Sequence, residues 1–397
     1  MVEIMHDNWK ILFTGDVFIK NETGKNFINE DFARIIAGHD LASCNFEAPI
    51  YTENAKPIVK TASPHLFQHK AAANIVKEAG FNVIALATNH MYDYGQKALE
   101  ETLDCFAEQI AIGAGVDFDS AYELKIKEIN GIKVGFFAFC EAEFGALTDK
   151  YTKRGGYAWV NHPSVVRRII DAKKIVDVLI VQVHGGCEHT KLPVPETREL
   201  YQEFINLGAD AIIAHHPHVP QGWETYKEKP IFYSLGNFYF DYKSDDPLWD
   251  KGYAVSLSFN GSNLEKFEVI PTEKTASGVS VCKEASYMKY LNDLCELIKD
   301  ENYYNLVNKQ VLNHWYYHYS SNYLKTLKLL PNNAFGDFIF KSLRKFIKLT
   351  HITFVNNLVL LHNIRTETHR WNVQRALSLI AEKDFYSDIK EDNYKEV

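Results

Sequence analysis

Cysteine pairs and long apolar runs are what this 397-residue sequence lacks. Its six cysteines (Cys44, Cys105, Cys140, Cys187, Cys282 and Cys295) are scattered without a C-x-x-C pair. That argues against a disulfide framework and for free thiols in a reducing, cytoplasmic compartment. No apolar stretch reaches the ~18 residues of a membrane-spanning helix. MVEIMHDNWKILFTGD at the start has no basic region leading into an apolar run and no small-residue cleavage site, so no secretory signal is expected either. With 21 glycines and 12 prolines, 46% hydrophobic and 24% charged residues, the composition excludes collagen, coiled coil and a disordered chain. No internal repeat and no low-complexity segment is present. Positive charge is also short, with a net charge of −8, and it is unevenly spread. Residues 302–375 carry ten Lys/Arg against Asp337 and Glu367, or +8, which leaves −16 on the remainder. That asymmetry points to an anionic partner for the C-terminal part. An acidic chain with no recognisable binding module is not expected to bind nucleic acid.

What is present is alternation. Over residues 10–275, short β-rich runs are followed by polar turns and then by helical periodicity, the pattern of an α/β fold. The runs KILFTG (10–15), DLASCNF (40–46), NVIALA (82–87), KVGFFAF (133–139), DVLIVQVH (177–184), DAIIAH (210–215) and PIFYSLG (230–236) are apolar enough for buried central strands. Helices are expected at 64–79, 95–108, 163–176 and 196–207, two of them opened by Ser63-Pro64 and Pro195-Glu196. The segments 122–129, 253–259 and 264–270 alternate apolar and polar residues, so antiparallel strands join the system. A two-sheet α/β sandwich is therefore expected, rather than a purely parallel sheet. The β signal stops near Ser280, and the analysis divides the chain into a domain at 1–275 and an α-helical extension at 276–397.

The chemistry-bearing side chains stand where strands end. Successive ends offer Asp16 in TGD, Asn45 and Glu47 in NFE, Asn89 and His90 in TNH, His184 and Glu188 in HGGCE, and His215, His216 and His218 in HHPH. In layered α/β folds such ends converge on one rim, where ligands bind. Carboxylate, amide and imidazole together form a donor set suited to Zn, Mn or Fe. A single Asp after Gly is usually a turn or capping residue, and a single His usually a hydrogen-bonded structural one. In His216-x-His218, alternate residues of an extended segment would point the same way. Cys187 has no His and Asn arrangement aimed at it and reads as a small packed residue.

GDVF, NFEAPI, ATNHMYDYG, VHGGCEH, GADAIIAHHPHVPQG and IFYSLGNFYFD, in this order and spacing, resemble the CapA family of capsule and poly-gamma-glutamate synthesis proteins over about residues 10–272. That family is similar to a branch of the calcineurin-like metallophosphoesterases. The resemblance implies a four-layer α/β/β/α sandwich followed here by the helical extension, and one or two divalent transition-metal ions. It implies Asp16, Asn89, His184, His216 and His218 as metal ligands, with Glu47 a further one. It places His90 as the group that protonates a leaving group and Asp93 as its orienter. Asn45, Glu188, His215 and Asn237 would position substrate or support the ligands.

Three positions depart from the pattern. Val17 and Phe18 follow Asp16 where the phosphoesterases carry His two residues on, Asn45 and Glu47 stand where a bridging Asp and an Arg are usual, and Ala214 replaces a small Gly. Arg and Lys are absent from the motifs, so an anionic substrate would be met by the metals and by loop residues such as Lys56 and Lys60, which read equally well as plain surface lysines.

The expected function is metal-dependent hydrolysis or transfer on an anionic cell-surface polymer such as capsule or poly-gamma-glutamate. Two alternatives stay open: a non-catalytic accessory subunit bound to a polymer synthase, and a stand-alone cytosolic metallophosphoesterase acting on small phosphoesters. The basic aromatic segment at 338–354 reads first as a core-facing helix with a solvated face, and second as a peripheral contact to an anionic membrane or polymer.

Overall fold

The apolar run along Val178–Val183, interrupted only at Gln182, and that along Ala211–Ala214 are matched by burial of every residue in both strands, as central parallel strands require. The computed structural model describes residues 8–21, 27–60, 64–315, 358, 361–363 and 365–381. The elements run β1 (Asn8–Phe18), α1 (Glu30–Ala37), β2 (Leu41–Phe46), α2 (Ala72–Glu78), β3 (Val83–Ala85), α3 (Gly95–Cys105), β4 (Ile110–Ile112) and β5 (Ala114–Gly115). Next come α4 (Phe118–Ala121), β6 (Lys125–Ile129), β7 (Ile132–Cys140), β8 (Ala146–Leu147), β9 (Gly156–Ala158), α5 (Ser164–Lys173), β10 (Val178–His184), α6 (Pro195–Asn206) and β11 (Ala211–His215). The series closes with β12 (Trp223–Tyr226), β13 (Lys229–Phe232), β14 (Asn237–Phe240), β15 (Lys251–Asn260), β16 (Asn263–Thr275), β17 (Gly278–Val281), α7 (Ala285–Lys299) and α8 (Tyr303–His314), and a further helix lies at Glu367–Ala381.

The first sheet has the order β17-β16-β15-β1-β2-β3-β4, with β14 paired to β1, and the second the order β12-β13-β11-β10-β7-β6. Strands β1, β2, β3 and β4 are parallel, as are β7, β10, β11 and β13, while β6, β15 and β16 pair antiparallel as their alternation predicts, and β17 adds antiparallel to β16. Side-chain parity fixes the layering. Gln182 of β10 donates to Ser43 Oγ of β2 at 2.9 Å, so these residues face each other between the sheets. On the reverse face of β2, Phe46 meets Phe106 at the end of α3, and on the reverse face of β7, Phe139 meets Phe204 of α6. Helices thus cover both outer faces, and the sheets share one apolar core that includes Phe13, Ile84, Phe136, Ile180, Ile213 and Val255.

The described chain divides into two compact units. One comprises the described parts of Met1–Ile58 and His65–Tyr303, the other those of Val59–Pro64 and Tyr304–Val397. Helix α7 belongs to the first unit, whose core takes in its Tyr287, Leu291 and Leu294. In the second, Arg375 donates to Asn308 at 3.2 Å. The basic segment at 338–354 lies outside the described residues.

The helix expected at 64–79 is shorter. Only Ala72–Glu78 is helical, because Gln68 pins the preceding stretch. Its amide donates to Pro49 O at 2.8 Å, its Nε2 to Ala48 O at 3.0 Å, and its Oε1 accepts from the Ile19 amide at 2.8 Å. These bonds outcompete helical periodicity. Strand β1 also runs on past Asp16 to Phe18, through a register shift after Asp16, because β14 comes alongside it. A Cβ on Gly15 would sit 1.9 Å from Gly236 O, so only glycine permits that approach.

Candidate metal centre

Two sheets packed face to face, with their parallel strands ending at one rim, bring the polar strand ends together. In the first sheet Asp16 pairs in register with Asn45 of β2 and with Asn237 of β14. In the second, His184 of β10 pairs with His215 of β11. The motifs therefore converge although 202 positions separate Asp16 from His218.

The contacts are close. Asn45 Nδ2 donates to Asp16 Oδ1 at 2.9 Å and to Glu47 Oε2 at 3.1 Å, which fixes the amide orientation and holds both carboxylates. His184 Nε2 lies 3.1 Å from Asn89 Oδ1, 3.0 Å from His216 Nδ1 and 3.6 Å from Glu47 Oε1. His218 Nδ1 lies 3.2 Å from Asp16 Oδ2 and 3.0 Å from Asn237 Oδ1. His215 stands behind Asp16, its Nδ1 3.7 Å from Oδ1, and its Nε2 lies 3.3 Å from Gln182 Oε1. His90 Nδ1 lies 2.7 Å from Asp93 Oδ2, which also accepts from the Leu66 amide at 2.8 Å. Asp16, Glu47 and His184 each place a ligand-type atom within 4.8 Å of the others, and so do Glu188, His216 and His218.

The extended geometry expected for His216-x-His218 is not what brings the two rings together. Strand β11 ends at His215, and His216 and His218 adopt φ of 97° and 59°, in the left-handed region that non-glycine residues avoid. Such strain, of about 1–3 kcal/mol per residue, is held by the surrounding structure and clusters at functional sites.

Electrostatics follow from burial. Burial first, and then the nearby Asp16 carboxylate, raise the pKa of Glu47 well above the ordinary carboxylate value. Burial, reinforced by His216 and the other imidazoles, pushes His184 well below the usual imidazole range. Burial also lowers His215, to about 4, against the pull of Asp16. For His218 burial acts downwards too, but the hydrogen bond to Asp16 and the charges of Glu47 and Asp16 outweigh it and lift the pKa to about 9.

A divalent cation fits this arrangement. Asn45 Oδ1, Glu47 Oε1, His184 Nδ1 and His215 Nδ1 are buried without a hydrogen bond. Buried carboxylates and imidazoles in that state are costly unless something electropositive compensates them. The donors are carboxylate and amide oxygens with imidazole nitrogens, a set that takes Zn, Mn or Fe.

Two carboxylates escaped the sequence reading. Glu143 Oε1 accepts from Asn89 Nδ2 at 3.1 Å, and Glu141 Oε2 accepts from the Gly186 amide at 3.0 Å. Both are buried. Their signal was available, since EAEF follows β7, whose end reaches the same rim, but no Asp, Asn or His marks it. Trp249 was missed as well. Its ring packs on His218 at 5.2 Å, and its carbonyl accepts from Asn237 Nδ2 at 2.9 Å. Cys187 is a buried free thiol, Lys56 is exposed, and Lys60 is buried and belongs to the second unit.

The family model described as bacterial capsule synthesis protein PGA_cap matches residues 10–242. The chain is 30% identical over 303 residues to the PGA biosynthesis protein CapA of Bacillus subtilis (strain 168), covering 73% of this chain and 78% of the relative. It is 35% identical over 231 residues to the capsule biosynthesis protein CapA of Bacillus anthracis, a match that covers 56% of either chain and so spans little more than half of that relative. A crystal structure described as a novel phosphatase, from Mycoplasma pneumoniae, is similar at a TM-score of 0.47 and 16% identity, over 72% of this chain and 99% of that one. The family match covers more than half of the chain and every strand end that carries the cluster: the chain belongs to the bacterial capsule synthesis (PGA_cap) family.

Proposed function

We propose that the chain is a metal-dependent hydrolase or transferase that makes or trims an anionic cell-surface polymer of the poly-gamma-glutamate or capsule type. The observation that carries this reading is the buried cluster of Asp16, Glu47, Asn89, His184, His216 and His218, whose lone pairs converge with several left unsatisfied. The names of the two Bacillus relatives supply the polymer class. Those six side chains would hold one or two divalent ions, of Mn, Zn or Fe. A bound ion supplies Lewis-acid polarisation of a carbonyl or phosphoryl oxygen and acidifies water.

The chain's own groups do the rest. Asp93 accepts the Nδ1 proton of His90, which fixes the tautomer and leaves Nε2 as the nitrogen that exchanges a proton with the leaving group. Asn45 bridges the Asp16 and Glu47 carboxylates and orients them by donating to both. Asn237 and Trp249 hold the His218 ring. The cytoplasmic assignment rests on six cysteines, all free thiols. Among the described residues no helix is long and apolar enough to cross a membrane.

A second reading, a non-catalytic subunit that binds the synthase, has one observation in its favour. Phe18 occupies the position two residues after Asp16 and packs its ring 5.0 Å from Phe240, so no imidazole is offered there.

Elemental analysis of protein purified without added metal, with turnover assays on poly-gamma-glutamate and on a generic phosphodiester, tests the reading in wild type and His216→Ala. Bound metal, release or transfer of glutamyl units and loss of both in the variant are expected. Metal without glutamyl chemistry but with phosphodiester cleavage would move the substrate to small phosphoesters. Neither metal nor turnover, with Mn or Zn supplied, would favour the accessory role.

A further inference from the structure

We propose that Glu188 is itself a metal ligand, forming with His216 and His218 a second cation position beside the buried one made by Asp16, Glu47 and His184. This rests on the metal-dependent reading above and deepens it, because it assigns to the HGGCE loop a role in holding an ion rather than substrate.

Geometry separates the two positions and couples them. Each trio places its ligand-type atoms within 4.8 Å of one another, and the trios share no residue. They adjoin at two points, His184 Nε2 to His216 Nδ1 at 3.0 Å and Asp16 Oδ2 to His218 Nδ1 at 3.2 Å. The first trio is fully buried, whereas Glu188 is only half-buried, so the second lies nearer the solvent.

The tautomer of His218 agrees. Asn237 Nδ2 donates to Trp249 O at 2.9 Å, so Oδ1 is the atom turned to the His218 ring. Nδ1 of His218 thus faces two acceptors, Asn237 Oδ1 and Asp16 Oδ2, and carries the proton. Nε2 is then the nitrogen a cation would take on displacing its proton, as in imidazole ligands whose other nitrogen donates to a carboxylate. Two imidazoles and one carboxylate are a sufficient protein share for Zn, Mn or Fe, with positions left for substrate.

The loop is shaped for this. Gly186 has φ of 98°, and its amide donates to Glu141 Oε2 at 3.0 Å, while a Cβ on Gly185 would meet Glu141 Cγ at 2.8 Å. The chain leaving β10 therefore turns tightly against Glu141 and brings Glu188 to the two histidines.

The test is isothermal titration of the chelator-treated full chain with Mn2+ and with Zn2+, with elemental analysis after dialysis and electron paramagnetic resonance of the Mn2+ form. Wild type should take two equivalents with spin-coupled Mn2+ ions. Glu188→Gln should retain one equivalent, with the weaker site reduced at least tenfold and the coupling abolished, and Glu188→Asp should be intermediate. Two equivalents of unchanged affinity in Glu188→Gln would overturn the assignment, as would a single equivalent in wild type, which leaves the metal-dependent reading standing. Should Glu188→Gln fail to fold, the wild-type spectrum decides: two uncoupled ions would place the second ion elsewhere. A wild type that takes no metal would overturn both readings.

Discussion

The side-chain amide of Asn89 donates from Nδ2 to Glu143 Oε1 over 3.1 Å, and both residues are buried. That bond decides which end of the amide faces His184, because it turns Oδ1 towards the Nε2 atom of the imidazole, 3.1 Å away. An amide free to flip would present its NH2 group to a cation instead. Glu143→Leu is therefore expected to weaken metal binding about 10–100-fold, the usual range for partners that orient ligands. The exchange Asn89→Asp with Glu143→Gln re-creates the hydrogen bond with its direction reversed and offers an oxygen in either orientation. Titration calorimetry should show binding in this double variant recovered to within a few fold, and a double variant as weak as Glu143→Leu would refute the orienting role.

The pairing of His90 with Asp93 leads to a separate prediction. His90→Ala should reduce kcat about 10²–10⁴-fold, as expected for a positioned acid-base group, with metal content unchanged. Asp93→Asn, which removes the charge that orients the imidazole, should give a smaller loss in kcat with KM little altered. Full activity in His90→Ala would remove the residue from the reaction.

Stability carries its own pH dependence through Glu224. Burial alone would raise its pKa, but hydrogen bonds from Arg198 Nε at 3.0 Å, Gln202 at 2.8 Å and Tyr233 at 2.6 Å hold it below the ordinary carboxylate value. Because the folded value is lower than the unfolded one, this contribution is complete above about pH 4.3 and fades as the pH falls through the folded value. Glu224→Gln should cost about 1–3 kcal/mol at neutral pH. The gap in Tm between wild type and variant, followed by thermal melts from pH 7 to pH 3, should hold constant down to about pH 4.3 and narrow only below it. A gap independent of pH would show that the carboxylate charge contributes nothing.

Strands buried on both faces were legible because a predominantly apolar run admits few other fates, and β10 and β11 start within one residue of where the runs 177–184 and 210–215 place them. Segment 64–79 misled because helical spacing is a local signal, whereas the bonds of Gln68 to Ile19, Ala48 and Pro49 come from chain distant in sequence. Glu141 and Glu143 went unseen for a related reason. Glutamates after a strand are ordinary surface chemistry until a neighbouring strand end closes over them, as Gly185-Gly186 and Asn89 do here.

His215 and His218 show where local reading stops. Sequence determined that imidazoles, carboxylates and amides would stand at the ends of parallel strands, since the apolar runs place those ends and the residue types are written there. It could not distinguish two histidines three positions apart. Tertiary structure alone sets one at about 4 and the other at about 9. Both are buried. His218 gains a hydrogen bond to Asp16 together with the field of Glu47, while His215 has Asp16 only at 3.7 Å and a neutral Gln182 on its other side. Desolvation prevails where the carboxylate is distant and yields where it is bonded, and those distances exist only after the two sheets have packed.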